Sequence, residues 1–225
     1  MVELKLQPVF GPGGHAYAEH MEIRGGEVGD LGAVADLLGE AFCTDPVMRE
    51  YVLPAASPAD TSRLRRLLTQ YFLSELESEY FPHGRVDIAE EDGQLLGAAL
   101  WLPPDSQIGF PTRLKQLVTL TRLLGPGIFR ALRMLRYWSR HTPKFPHWYL
   151  YTLAADPSAR GRGIGTALLT QGLDRVGNDP VYLEATSTGA ASLYARYGFV
   201  TLGEMHAHGR AKEIAMWRPG TAGAS

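Results

Sequence analysis

A single cysteine, Cys43, rules out a disulfide within the chain and any metal site built from cysteine alone. It is followed by Thr44-Asp45-Pro46 with no histidine nearby to activate it, so it reads as a packed or half-exposed thiol. No run of about 18 apolar residues occurs, which leaves nothing to span a bilayer as a helix. The seven histidines (His15, His20, His83, His141, His147, His206, His208) never take the His-Glu-x-x-His spacing of a zinc protease. His206 and His208 flank Ala207 and read as an exposed pair, so no metal site is expected. The formal net charge of −2 gives no basic footprint for nucleic acid. Met1 to Phe10 mixes Glu3, Lys5 and Gln7 among its apolar residues, unlike a secretory segment, and a reducing cytoplasm is the expected compartment. Neither repeats nor low-complexity tracts appear.

What is present is ordinary for a folded domain: 45% apolar and 20% charged residues in a chain of 225. The first 20 residues, with Gly11-Pro12-Gly13-Gly14, read as a tail or loosely held arm, and residues 21–219 as a single domain. Met21-Glu22-Ile23-Arg24 alternates as a strand. Asp30 is a suitable N-cap for a helix carrying Leu31, Val34, Leu38 and Phe42 on one face. A second helix is predicted from about Thr61 to Tyr80. Arg85 to Glu90 and Leu95 to Leu102 form a hairpin about Glu91-Asp92-Gly93-Gln94.

Residues 105–144 form a helical insert with two amphipathic patterns, stopped between them by Gly125-Pro126. Eight basic residues and one acid, Asp105, lie in it. A lid over an anionic ligand, or a surface for membrane or nucleic acid, is one account. Two solvated helix faces are the favoured one. The last third alternates strand and helix: Trp148–Leu153, Thr166–Val176, Val181–Glu184, Gly189–Tyr197, then a strand from Phe199 pairing with Lys212 to Trp217. The fold class is therefore α/β, a mixed and mostly antiparallel sheet with a central parallel strand pair.

Chemistry concentrates between Leu153 and Thr166. A strand ends, Asp156-Pro157 turns the chain, and Arg160-Gly161-Arg162-Gly163-Ile164-Gly165 opens a helix whose Leu169, Leu173 and Val176 share a face. The first amides of a helix lack intrahelical partners, and the helix end carries about half a positive charge. Glycine removes the Cβ atoms that would hold a phosphate away, so such a turn suits a diphosphate. Alone, it is a weak signal. Its spacing, Arg160-x-x-Gly163-x-Gly165 between strand and helix, resembles the coenzyme A-binding signature of the GNAT acetyltransferase superfamily. Leu193-Tyr194-Ala195-Arg196-Tyr197-Gly198-Phe199 behind Tyr182-Leu183-Glu184-Ala185 resembles the second half of that pattern. The likeness runs from about His147 to Pro219 and more loosely through Ile23-Arg24 and Phe42-Cys43-Thr44-Asp45-Pro46. His147-Trp148-Tyr149-Leu150 with a long helical insert looks most like the puromycin N-acetyltransferase-like branch.

The resemblance implies transfer of an acetyl group from acetyl-CoA to a primary amine by direct attack on the thioester. Backbone groups of Leu153, Ala154 and Ala155 would pair with the pantetheine arm, one strand amide near Leu153 facing the thioester oxygen. Amides from Gly161 through Arg162, Gly163, Ile164 and Gly165 to Thr166 would hold the pyrophosphate, and Arg160 or Arg162 would reach a phosphate or stay solvated. Tyr194 is the candidate general acid toward the departing thiolate. The base stays open between Tyr149, nearest the place where many relatives carry a glutamate, and Glu184 on the next strand. The family's loop asparagine is missing: Ser187-Thr188-Gly189-Ala190 stands there, and its contact passes to Ser187 or Ser192, or is lost. A small-molecule acceptor is favoured because the insert can wall off a pocket, and family likeness allows a homodimer.

Two rivals differ in class. A nicotinamide dinucleotide enzyme fails because Thr166 or Leu168 stands where its last glycine or alanine belongs. A non-catalytic acyl-CoA sensor is the stronger alternative, since the strand glutamate and loop asparagine are absent.

Overall fold

The computed structural model describes residues 21–52, 61–106, 110–206 and 212–221; the N-terminal arm and His208 lie outside them. In chain order the elements are β1 (Met21–Gly25), a 3-10 turn (Val28–Asp30), α1 (Leu31–Phe42), α2 (Pro46–Val52), α3 (Thr61–Glu75), a π-helical turn (Leu76–Tyr80), α4 (Phe81–His83), β2 (Arg85–Glu91) and β3 (Gln94–Leu102). Then come α5 (Phe110–Leu124), α6 (Ile128–His141), β4 (Trp148–Ala155), α7 (Ile164–Val176), β5 (Val181–Ala185), α8 (Thr188–Ala195), β6 (Val200–Met205) and β7 (Glu213–Arg218).

The strands form one seven-stranded sheet in the order β1-β2-β3-β4-β5-β7-β6. Every neighbouring pair is antiparallel except β4 and β5, as the strand-helix-strand order of the last third requires. The β2–β3 hairpin turns on Asp92 and Gly93, both with positive φ (51° and 77°), the backbone sense that matches strand twist.

Both faces of the sheet are covered, which explains why β3 reads as a continuous apolar run. Ala98 and Leu100 point to one face, against Val34 and Leu38 of α1 and Leu64, Leu68 and Phe72 of α3. Ala99 and Trp101 point to the other, against Leu168, Leu169 and Leu173 of α7. Helix α7 approaches closely enough that its Gly172 sits directly on the Trp101 indole. Gly97 does the same for the start of α7: a Cβ there would lie 2.6 Å from Ile164 Cγ2 and 2.9 Å from the Ala154 carbonyl oxygen. The latter is backbone and cannot swing aside. Gly97→Ala is accordingly expected to destabilise the protein by about 1–3 kcal/mol, read as a lower urea midpoint. An unchanged midpoint would mean that α7 and β4 part without cost.

Three local expectations shift. Asp30 stands at the N-cap position of α1 but makes no side-chain bond to that helix. It caps the preceding 3-10 turn instead, accepting from the Glu27 amide at 2.8 Å, and pairs with Arg24 at 2.7 Å. The predicted helix 61–80 is α-helical only to Glu75 and closes with a π-turn, in which Ser78, Glu79 and Tyr80 are all buried. Helix α2, between Pro46 and Val52, was not expected; Asp45 opens it by accepting from the amides of Val47 and Met48.

Candidate active site

The segment after β4 folds as a glycine-rich turn that opens a helix. Asp156 accepts from the Ser158 amide and sets a short 3-10 turn, Pro157–Ala159. Gly161 and Gly163 then take φ of 81° and 79°, a conformation L side chains rarely adopt, and helix α7 starts at Ile164, two residues before the expected Thr166. Among the described residues nothing lies within 4 Å of a Cβ built on Gly161, Gly163 or Gly165. The Arg162 amide reaches the Ala159 carbonyl at 3.4 Å. Those of Gly161, Gly163, Ile164, Gly165 and Thr166 find no acceptor among the described residues. The two arginines divide: Arg162 is held by both oxygens of Glu91 at 2.7 Å, whereas Arg160 is exposed, has no ion-pair partner among the described residues, and lines a cleft of about 350 Å³.

That cleft runs along Leu153, Ala154 and Ala155 and is closed opposite by Thr44, Asp45 and Pro46. Its floor exists because β4 and β5 pair only at Trp148–Val181 and Tyr149–Tyr182 and then separate. On its other edge β4 stays paired to β3, where the register slips between Leu100 and Trp101 so that Tyr151 is an extra residue on β4. A bulge bends the strand that carries it, here beside the point where its partner leaves. The backbone of residues 153–155 is thus left with an edge that β5 does not cover.

Beyond Leu153 and Thr186 the cleft continues into an inner pocket of about 330 Å³. Tyr149, Glu184 and Tyr194 all line it, so three residues drawn from β4, β5 and α8 converge. Tyr149 donates to Glu184 Oε2 at 2.7 Å. Burial pushes the Glu184 carboxyl above its ordinary range, opposed by hydrogen bonds from Tyr149 and Tyr182. The Tyr149 phenol is pushed far upward by burial and by the neighbouring Glu184 charge, so it stays protonated. Tyr194 is buried, its phenol raised by burial, and its hydroxyl has no hydrogen-bond partner among the described residues. Ser187 and Ser192 are engaged locally: Ser187 accepts from the Ala190 amide as the N-cap of α8, and Ser192 donates to the Thr188 carbonyl.

Other pocket residues escaped the sequence reading. Glu75 at the end of α3 and Glu79 in the π-turn lie three and seven positions after Phe72, continuing its apolar stripe; two acids on such a stripe were the available signal. Burial and the neighbouring Glu79 push the Glu75 carboxyl up to about 8. Glu213, at the start of β7, accepts from Trp138 Nε1 of α6 at 2.5 Å and is pushed up to about 7, chiefly by burial. Helix α6 also contributes Leu135 and Ser139, so the insert forms one wall, while its basic side chains other than half-buried Arg130 face solvent. Cys43 is buried and donates to the Glu40 carbonyl, away from this chemistry.

Residues 47–199 match the Acetyltransferase (GNAT) family. The chain belongs to that family. A Corynebacterium glutamicum structure described as histone acetyltransferase HPA2 and related acetyltransferase is 35% identical, covering 92% of this chain and 99% of that one with a TM-score of 0.72. A mycothiol acetyltransferase of Corynebacterium aurimucosum is 42% identical over 77 residues, 32% of this chain and 24% of that protein. An uncharacterized protein of Mycobacterium leprae is 42% identical over 65 residues, 28% of this chain and 18% of its own. The matched stretches thus span a quarter or less of these curated relatives. The GNAT fold accounts for the mostly antiparallel sheet with its one parallel pair. Among the described residues no helix is long and apolar enough to cross a membrane, and no metal-binding cluster occurs.

Proposed function

We propose that this GNAT protein is an acetyl-CoA-dependent N-acetyltransferase acting on a primary amine of a small molecule. The observation that carries this reading is continuity: five unclaimed amides at the start of α7 lead along the uncovered edge of β4 into a pocket holding Glu184 and Tyr194. A diphosphate suits the amides, an extended amide-bearing arm suits the strand edge, and a thioester would then meet the pocket mouth. Family membership supports the same co-substrate. The insert wall favours a small acceptor over a peptide, which needs an open groove. That wall, with His147-Trp148-Tyr149-Leu150, also supports kinship with the puromycin N-acetyltransferase-like branch. A cytoplasmic setting fits the single cysteine.

Of the two candidate bases, Glu184 fits the task and Tyr149 does not. A phenolate at Tyr149 would sit buried beside a carboxylate, and both burial and charge oppose it. The phenol instead orients Glu184. Tyr194, neutral and with an unengaged hydroxyl, donates a hydrogen bond to the departing thiolate as charge develops on sulfur.

Calorimetry with acetyl-CoA, followed by thiol release on adding a panel of amines, tests the whole reading; no heat with acetyl-CoA would overturn it. Release without an amine would mark hydrolysis rather than transfer. In the same titration Arg160→Ala is expected to weaken binding about tenfold, the effect of losing one charge-assisted phosphate contact, whereas Ser192→Ala should leave it unchanged.

A further inference from the structure

The inner pocket holds two carboxylate pairs, one more than acetylation of an amine requires. Glu184 on β5 and Glu213 at the start of the neighbouring β7 form one pair. Glu75 and Glu79 form the other, on α3 and its π-turn. Between them stands a row of rings: Tyr149 and Tyr151 with centroids 5.9 Å apart, then Tyr80 stacked on Tyr151 at 5.1 Å. Among the described residues no lysine, arginine or histidine lines the pocket.

Three of the four carboxylates are accounted for within the protein. Glu184 accepts from Tyr149, and Glu213 from Trp138. Glu79 accepts from Gln116 at 3.0 Å and lies within the fields of Arg113 and His83. Glu75 has no hydrogen-bond or ion-pair partner among the described residues, although protein surrounds it closely enough to raise its pKa strongly. It keeps part of its surface accessible and lines the pocket. A desolvated carboxylate left alone is costly, and the nearby Glu79 adds repulsion. A ligand cation would relieve both. The tyrosine faces beside it attract the same kind of group.

We propose that the acceptor is at least dicationic, and that Glu75, backed by Glu79 and the ring of Tyr80, binds a second ammonium or guanidinium several bonds from the amine that is acetylated. The inference rests on the proposed acetyl transfer at the Glu184 end. A monoamine satisfies one pole only. A neutral acceptor leaves Glu75 either protonated or unpaired, and an anionic one is repelled at both ends. Glu75 is on this account a specificity residue, remote from the reacting atoms.

Steady-state acetylation of α,ω-diaminoalkanes, beginning with 1,3-diaminopropane and lengthening one methylene at a time, against the matching 1-aminoalkanes, tests this. One diamine length is expected to show a KM about tenfold or more below that of its monoamine. Glu75→Gln should raise that KM about tenfold and narrow the gap between diamine and monoamine KM values. The variant should fold at least as well as the parent, because it replaces a buried carboxyl that is costly to ionise by a neutral group of the same shape; equal or higher Tm checks this. Equal KM values for diamines and monoamines, or a KM for the diamine indifferent to Glu75→Gln, would overturn the proposal. Calorimetric titration with the diamine alone separates the two readings. Heat that vanishes in Glu75→Gln without acetylation of any amine would sink the transferase reading and leave the dication site standing.

Discussion

Tyr194→Phe is expected to slow acetyl transfer about 100-fold while changing the affinity for acetyl-CoA less than twofold, the lower end of what a positioned acid contributes. The argument starts from packing. The ring of Tyr194 is buried between α8 and the α7 face of the sheet, 5.7 Å from the Phe199 ring, so phenylalanine fills the same space. Tyr194 is among the pocket-lining residues, and its hydroxyl bonds to nothing among the described residues, so removing it leaves no protein group stranded. Stability should therefore hold, and a rate loss could not be blamed on unfolding. A departing thiolate has a conjugate acid near pKa ~8.5. Burial keeps the Tyr194 phenol above its usual range, so it remains a donor throughout the working pH range, and its loss is felt when charge develops on sulfur. Single-turnover rates with saturating acetyl-CoA, beside calorimetric Kd values, separate the two effects. An unchanged rate would strip Tyr194 of the role and leave the sulfur to protonation by solvent.

How much of this was legible beforehand depends on which physical signal each feature writes into the sequence. The parallel β4–β5 pair was, because an apolar strand, a glycine-rich turn and an amphipathic helix must cross over before the next strand. The hairpin was too, since Asp92-Gly93 can take the two positive φ values that few other pairs accept. The extra residue at Tyr151 and the π-turn over Leu76–Tyr80 were not. Each is a one-residue change in which backbone groups bond, with the hydrophobic pattern on either side intact. Yet these two irregularities shape the site: one lies where β4 parts from β5, the other buries Glu79 and Tyr80 at the pocket. Glu75 and Glu79 were visible in principle, as charges on an apolar stripe, but only by treating a broken period as information rather than noise. The Arg160/Arg162 ambiguity could not be resolved from sequence, because it depends on Glu91, some 70 residues away, presenting both oxygens to one guanidinium.

Glu184→Gln is the second large change, with an expected loss of about 100-fold or more in kcat/KM and, more diagnostically, a change in pH dependence. An amine of pKa ~10.4 is neutral in about one molecule per 2,500 at pH 7, a deficit of ~4–5 kcal/mol that a base or a lowered amine pKa must offset. Glu184 can accept the proton only when ionised. Burial raises its folded pKa, so activity in the parent should be present above that value and lost as pH falls through it, placing the acid limb higher than an exposed glutamate would. Glutamine abolishes the limb together with the rate. Tyr149→Phe should shift the same limb: the phenol stabilises the ionised carboxylate by donating to it at 2.7 Å, so its removal should move the limb to still higher pH with a smaller loss of maximal rate. If instead the limb survives in Glu184→Gln, another group is titrating. Glu213, held to about 7 by its burial and bonded to Trp138, is then the next carboxylate able to receive the proton.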